Sequence, residues 1–184
     1  DWKDEQTIFP VIDTDVQVCP TSSSRTVKIL ECNAYIKLHY PRVLGRISRE
    51  LRTEHILSSR DITNIFLELI DADLVPNSFA FFPEFSGKLF KSDTEEIGYV
   101  IREGRPIGNQ CEKINALIPA FSLFSLDRHA NDPPIIIQIL QRKKDKIEYL
   151  LAQLISPILD CYFSCVFNGG IQPEMHSQNF MIGI

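Results

Sequence analysis

Apolar and polar residues alternate from Ala34 to Tyr40: Ala34, Ile36, Leu38 and Tyr40 fall on one face, Tyr35, Lys37 and His39 on the other. Period-two alternation predicts a half-buried strand, with Lys37 mid-strand on the polar face. Strand composition also marks residues 16–18 and the run from Arg25 to Leu30, separated by the polar loop Pro20-Thr21-Ser22-Ser23-Ser24 and followed by a turn at Glu31-Cys32-Asn33. Pro41 should end the alternating strand, because it has no N–H to give to a ladder. Ser58 and Asp61 have capping-box spacing, and Ile62, Ile65, Phe66, Leu69 and Ile70 form an apolar helical stripe that stops before Pro76. Phe79 to Phe82 and Leu89-Phe90 read as short strands with Gly87 in the turn between them. Ile97 to Arg102 reads as another strand, closed by Gly104-Arg105-Pro106.

The period then changes. The second part turns helical: Lys113 to Ser125 is mostly apolar, with Pro119 obscuring its type, and Asp132-Pro133-Pro134 can open a helix through Ile135 to Leu140. The strongest helix spans about Asp145 to Phe167, where Ile147, Leu150, Leu151, Leu154, Ile158, Leu159, Tyr162 and Val166 repeat at threes and fours. Pro157 should kink it and Gly169 should stop it. A polar segment, Pro173 to Asn179, and an apolar run, Phe180-Met181-Ile182, follow. The patterns predict an α+β protein: a β-rich part over 1–110 with an antiparallel sheet, then a helical part over 111–184. The chain begins at Asp1 and ends on Ile182-Gly183-Ile184, still in a strand pattern, so it is expected to be a piece of a longer protein.

Composition narrows the class. At 184 residues, 44% hydrophobic and 23% charged, the chain is that of a soluble globular protein with room for one sizeable core, or for one domain plus part of a second. A net charge of −5 without a Lys/Arg-rich block argues against a nucleic-acid partner. No uninterrupted apolar run is long enough to cross a bilayer, and no basic-then-apolar leader opens the sequence, so no membrane partner is expected. Cys19, Cys32, Cys111, Cys161 and Cys165 form no CxxC pair and are odd in number, which suggests neither a disulfide framework nor a zinc knuckle. Cys161 and Cys165 fit as small buried hydrophobes, and a cytoplasmic location fits all five.

Candidate chemistry is concentrated in two places. Glu174, His176, Gln178 and Asn179 lie within six residues. In an extended segment Glu174, His176 and Gln178 would share a face able to hold a hard metal ion, a phosphate or a polarised substrate. The alternative is an ordinary polar turn between a helix and a buried strand. Arg42, Arg46, Arg49 and Arg52 form the main cationic cluster, either a solvated helix face or an anion site built from guanidinium forks. GxGxxG, P-loop, HExxH and GxSxG motifs are absent, and His55 and His129 have no supporting constellation.

Thr21-Ser22-Ser23-Ser24-Arg25-Thr26, then Lys37, then the arginines ending at Arg49, then Glu174-Met175-His176-Ser177-Gln178-Asn179 resemble, in order and in short spacing, the motifs of siderophore synthetases that work without a nonribosomal peptide synthetase, the aerobactin-synthetase-like (IucA/IucC) family. The resemblance spans nearly the whole chain. It implies an enzyme using ATP and magnesium (Mg2+) to adenylate a citrate-like carboxylic acid, which an amine or hydroxyl substrate then attacks; a homodimer is compatible with it. Ser23, Arg25 and Thr26 would contact the ATP phosphates, and Lys37 would neutralise phosphate or carboxylate charge. Arg49, or Arg46 if the register slips by a turn, would hold the triphosphate. Glu174 and Gln178 would lie near the metal, His176 near the nucleotide and acyl phosphate, and Asn179 would support that loop. His39 stands where the family usually has small polar residues, which would alter the acid pocket. An upstream histidine segment and a downstream Arg-Asp motif of the family fall outside Asp1–Ile184, so the chain alone is expected to be inactive.

Two other readings compete. A kinase-like small-molecule phosphotransferase would use His176 to Asn179 as a catalytic loop, but the aspartate that would act as base is missing. A non-catalytic binding module with a degenerate nucleotide site could expose Phe79 to Phe90 as a partner surface, where core packing is the plainer role for those rings.

Overall fold

The computed structural model describes residues 15–23, 25–44, 47–91, 96–126 and 131–184. In chain order the elements are β1 (Val18–Pro20), β2 (Thr26–Ile29), β3 (Ala34–Leu38), β4 (Tyr40–Leu44), β5 (Ile47–Arg49), α1 (Thr53–Asp71), β6 (Glu84–Lys91), β7 (Glu96–Glu103), β8 (Leu117–Pro119), α2 (Ile135–Gln141), α3 (Lys146–Leu150), α4 (Ser156–Gly169) and β9 (Met181–Gly183). They form an α+β protein of two compact units, Asp1–Phe66 with Phe81–Ile107, and Leu67–Ala80 with Gly108–Ile184.

The first unit is an antiparallel sheet ordered β1-β2-β3-β7-β6, with β4 and β5 paired separately. Lys37 stands opposite Thr26 on one side and Val100 on the other, and Arg102 opposite Tyr35 and Glu84. Alternation therefore puts Thr26, Tyr35, Lys37, Val100, Arg102 and Glu84 on one face. Helix α1 lies on that face, and two glycines let it approach. A Cβ at Gly98 would lie 2.9 Å from Ile56 Cδ1 and 2.9 Å from the Lys88 carbonyl oxygen; at Gly87 it would lie 3.0 Å from Ile56 Cγ2. Val100, beside them, is 2% exposed. Thr63 is the buried polar residue of the helix: its hydroxyl accepts from the Glu84 N–H at 3.1 Å and faces the Glu84 carbonyl at 3.4 Å.

The Lys37 strand forms, but it ends at Leu38 instead of Tyr40 and its Lys37 face is the one α1 covers, while Leu38 is exposed; several neighbouring elements also differ from the sequence expectation. Pro41 falls inside β4, at the register irregularity between Tyr40 and Val43, where no ladder N–H is needed. Two of the clustered arginines belong to a hairpin instead of a helix face: Arg42 lies in β4 and Arg49 ends β5, while Arg52 directly precedes α1. Helix α1 starts at Thr53, so Ser58 and Asp61 lie inside it and are no capping box. Gly87 is within β6, where it serves close approach instead of a turn. Phe81 makes an isolated bridge to Ile107. Its ring meets Phe66 edge-on at 5.1 Å, consistent with a packing role.

In the second unit Lys113–Ser125 is not one helix. Pro119 ends strand β8 and Ala120–Phe124 forms a 3₁₀ turn. Strand β9 pairs antiparallel with β8, and Leu123, Ile136 and Leu140 form a buried cluster with Ile118, Leu150, Leu154 and Ile182 against it. The long helix begins with Asp145 accepting from the Glu148 N–H at 2.9 Å. Leu151–Ile155 winds as a π-helix immediately before Pro157 enters the first turn of α4. The wider turn answers the missing proline N–H and its clash with the preceding carbonyl. The stop is Gly170, at φ 63, one residue later than expected.

Lys146–Gly169 is long and apolar enough to cross a membrane by length and composition. Glu148, Gln153 and Asp160 break the apolar run, which is why reading for uninterrupted stretches passes over it. Ile147, Leu151, Ile155, Leu159, Phe163 and Phe167, each four residues after the last, are all exposed, so the sequence stripe that included Ile147, Leu151 and Leu159 is only partly a core face.

The glycine seat yields a stability prediction. Gly98→Ala gains roughly 0.4–1 kcal/mol from the unfolded chain, but overpacking against Ile56 and a fixed carbonyl costs about 1–3 kcal/mol. The variant should be the less stable, with a lower urea midpoint at unchanged slope.

Candidate functional site

Strand pairing and the α1 seat bring four cations and one carboxylate together in the first unit. Arg102 Nε donates to Glu84 Oε1 at 3.0 Å, and Arg102 Nη2 binds the same oxygen. Lys37 Nζ lies 3.7 Å from it. Ser59 of α1 donates its hydroxyl to the other oxygen, Glu84 Oε2. The Glu84 side chain is 9% exposed, that of Lys37 25% and that of Arg102 38%, so the carboxylate is covered while both cations reach solvent. Burial pushes the Glu84 carboxyl upward, but Arg102, Lys37 and the Ser59 hydroxyl together hold it below the usual carboxylate range.

The other two cations come from the residue before β2 and from the end of β5. Arg25 Nη1 donates to the Arg49 carbonyl at 2.5 Å, tying the start of β2 to the end of β5. Burial lowers the Arg25 pKa, and the Arg49 guanidinium lowers it further. Arg49 Nε is buried without a hydrogen-bond partner. Leaving such a donor unpaired costs about 1–3 kcal/mol. The Lys37 ammonium is held below its usual range, first by burial, against the pull of Glu84, with Arg102 and Arg25 adding to the depression.

The serine-rich loop braces itself. Thr21 donates its hydroxyl to the Thr26 carbonyl at 2.8 Å and accepts from the Ser23 N–H at 3.1 Å, while the Ser23 and Thr26 hydroxyls lie 3.3 Å apart. His39 supports the segment after Arg49: its Nδ1 accepts from the Leu51 N–H at 3.1 Å, and Leu51 is 2% exposed. Of the expected residues, the first unit thus brings Ser23, Arg25, Thr26, Lys37 and Arg49 to one end of the sheet. Arg46 lies outside the described residues, as does His129. His55 accepts from the Arg52 N–H at the start of α1.

Glu84 and Arg102 were missed by sequence reasoning. Arg102 carried a signal, since alternation set it apart from Ile97, Tyr99 and Ile101. Glu84 carried none, because a bulge between Glu84 and Ser86 hides its register behind Pro83.

In the second unit Glu174, His176, Gln178 and Asn179 occupy an exposed turn instead of an extended segment. The Asn179 N–H donates to the His176 carbonyl at 2.8 Å, so face alternation does not hold here. Asn179 Nδ2 donates to Glu174 Oε2 at 2.8 Å, and His176 Nε2 lies 3.6 Å from Glu174 Oε1. The Phe121 and Ala120 N–H groups bind the Ser177 and Phe180 carbonyls and anchor the turn. No group of three or more His, Cys, Asp or Glu residues could hold a metal among the described residues. Glu174 and the Gln178 amide offer hard oxygens of the kind magnesium accepts alongside retained waters. The five cysteines are free, and burial with neighbouring Cys161 pushes the Cys165 thiol to about 11, far from a reactive thiolate.

The first unit thus holds a partly covered group of cations at an antiparallel sheet, and the second a polar turn anchored by backbone hydrogen bonds, within an α+β fold. Among solved structures the same fold occurs in the petrobactin biosynthesis protein AsbB from Bacillus anthracis str. Sterne, at a TM-score of 0.70 and 20% sequence identity over 91% of this chain. The chain spans 29% of the length of AsbB. No family model and no curated protein matches the sequence.

The depressed Glu84 pKa predicts how stability changes in acid. The unfolded chain binds more protons than the folded one between the folded pKa of Glu84 and about 4.5, so stability is lost as pH falls through that window. Urea midpoints measured from pH 6 to pH 3 should drop in the wild type. Glu84→Gln should flatten that drop while lying lower at pH 6.

Proposed function

We propose that this chain carries nucleotide-handling machinery of a siderophore synthetase that uses ATP and magnesium to adenylate a citrate-like carboxylic acid and passes the acyl group to an amine or hydroxyl. The observation that carries the reading is the buried, unpartnered Arg49 Nε beside Arg25, with Lys37 and Arg102 at the same sheet. The motif resemblance and the fold shared with AsbB, a petrobactin biosynthesis protein, support it.

The cluster suits the reaction. A carboxylate oxygen forms a bond to the α-phosphorus as the bond to the β-phosphate oxygen breaks and pyrophosphate leaves. An amine or hydroxyl then attacks the acyl carbon, loses its proton and displaces AMP. The first step brings two anions together, and its barrier falls when fixed cations offset the developing charge. In this reading Lys37, Arg25 and Arg49 bind phosphate oxygens, and the Ser23 and Thr26 hydroxyls add donors. Glu174 and Gln178 are the proposed magnesium-side oxygens, with Asn179 orienting Glu174 and His176 assigned to the acyl-phosphate side. Magnesium when bound supplies further charge neutralisation.

Calorimetry with ATP and magnesium tests the reading. Lys37→Ala and Arg49→Ala should each weaken binding by roughly 1–3 kcal/mol, the size of a charge-assisted contact. Wild-type affinity left unchanged by both substitutions would sink it. Acid-dependent pyrophosphate exchange by a longer protein containing this chain marks a synthetase, ADP formation marks a kinase, and neither marks a binding module.

A further inference from the structure

We propose that Glu84 is a positioning residue that sets Lys37 and Arg102 as a matched pair of cations, making Arg102 an anion-binding side chain alongside Lys37, Arg25 and Arg49. This rests on the polyphosphate reading above and extends it to residues that the motif resemblance does not contain.

The geometry is specific. Glu84 Oε2 is taken by the Ser59 hydroxyl and its backbone is gripped by Thr63, so α1 fixes the carboxylate from both ends. Its remaining oxygen, Oε1, meets both cations. Arg102 spends Nε and one Nη2 hydrogen there, and three of its five N–H groups stay available. Lys37, at 3.7 Å, is in ion-pair contact and keeps its ammonium donors. One carboxylate thus anchors two cations without saturating either, and both remain partly open to solvent.

Charge points the same way. The groups facing Lys37 are Arg25 from the β1–β2 loop, Arg102 from β7 and Glu84 from β6; the helix adds the uncharged Ser59. Burial, Arg102 and Arg25 all favour loss of the Lys37 proton, and Glu84 is the group that opposes them. Without it, Lys37 would become a neutral amine at lower pH and cease to attract phosphate.

The test combines two readouts on the 184-residue chain. Lysine labelled with ¹³C at Cε, with Lys37→Arg for assignment, reports the titration of Lys37 by NMR. Calorimetry with inorganic pyrophosphate and with ATP plus magnesium, at pH 6.5 and pH 9, reports affinity. In Glu84→Gln the Lys37 midpoint should move down by about one unit or more, the range for removing a close opposite charge. Affinity should fall further at pH 9 than at pH 6.5, because the displaced Lys37 titration removes its charge first at the higher pH. Glu84→Asp, which keeps the charge but shortens the reach, should restore the Lys37 midpoint and not the affinity. Ser59→Ala should shift both modestly in the same direction, and stands in if Glu84→Gln does not fold. A folded Glu84→Gln with unchanged Lys37 titration and an unchanged pH profile overturns the proposal. Absence of polyphosphate binding by the wild type overturns the nucleotide reading, and with it the anion-binding role of Arg102, whatever Lys37 does.

Discussion

A single covered carboxylate, Glu84, sits among Arg102, Lys37 and Arg25, and the charge balance of that cluster depends on it. Cations this close repel one another, and burial penalises each of them. Glu84 offsets part of that cost yet leaves the group net positive. In the proposed reading that remainder attracts an anion, and Arg49 Nε, a buried donor with no acceptor among the described residues, is where one would bind. Neutralising every cation would give a stable, inert sheet end, whereas removing Glu84 would drive Lys37 towards its neutral form. One carboxylate for four cations lies between those limits.

The surrounding fold holds that arrangement in place. Gly87 and Gly98 let Ile56 down onto the sheet, which brings Ser59 and Thr63 within reach of Glu84. The bulge after Glu84 keeps its side chain opposite Arg102. Arg25 reaches from the start of β2 to the Arg49 carbonyl, and His39 holds the Leu51 N–H just beyond. Packing, backbone irregularity and hydrogen bonds therefore act on the same few side chains.

Much of this was legible in the residues, for physical reasons that differ from element to element. Alternation found the Lys37 strand, but not that α1 covers the Lys37 face, because Gly87, Gly98 and Val100, which seat the helix, lie on strands distant in sequence. The long helix showed its period because one side packs on Leu123, Ile136 and Leu140 through Leu150 and Leu154. The start of α1 was misplaced because tertiary packing of Ile56 extends the helix upstream of its apparent cap. Pro119 and Pro41 were read as breakers of a helix and of a strand, and each instead sits at a strand position that needs no ladder N–H. Glu84 was invisible because its partners are distant in sequence and its register depends on a bulge. The Glu174–Asn179 segment was found as a polar constellation, but its turn could not be told from an extended face, since the same residues serve either.

The most direct measurement is a crystal structure of the chain grown with magnesium and a non-hydrolysable ATP analogue. The account predicts phosphate oxygens within hydrogen-bonding distance of Lys37, Arg25 and Arg49, with Arg49 Nε paired to one of them. An analogue bound elsewhere, with Arg49 Nε still unpaired and the Glu84 cluster untouched, would contradict it.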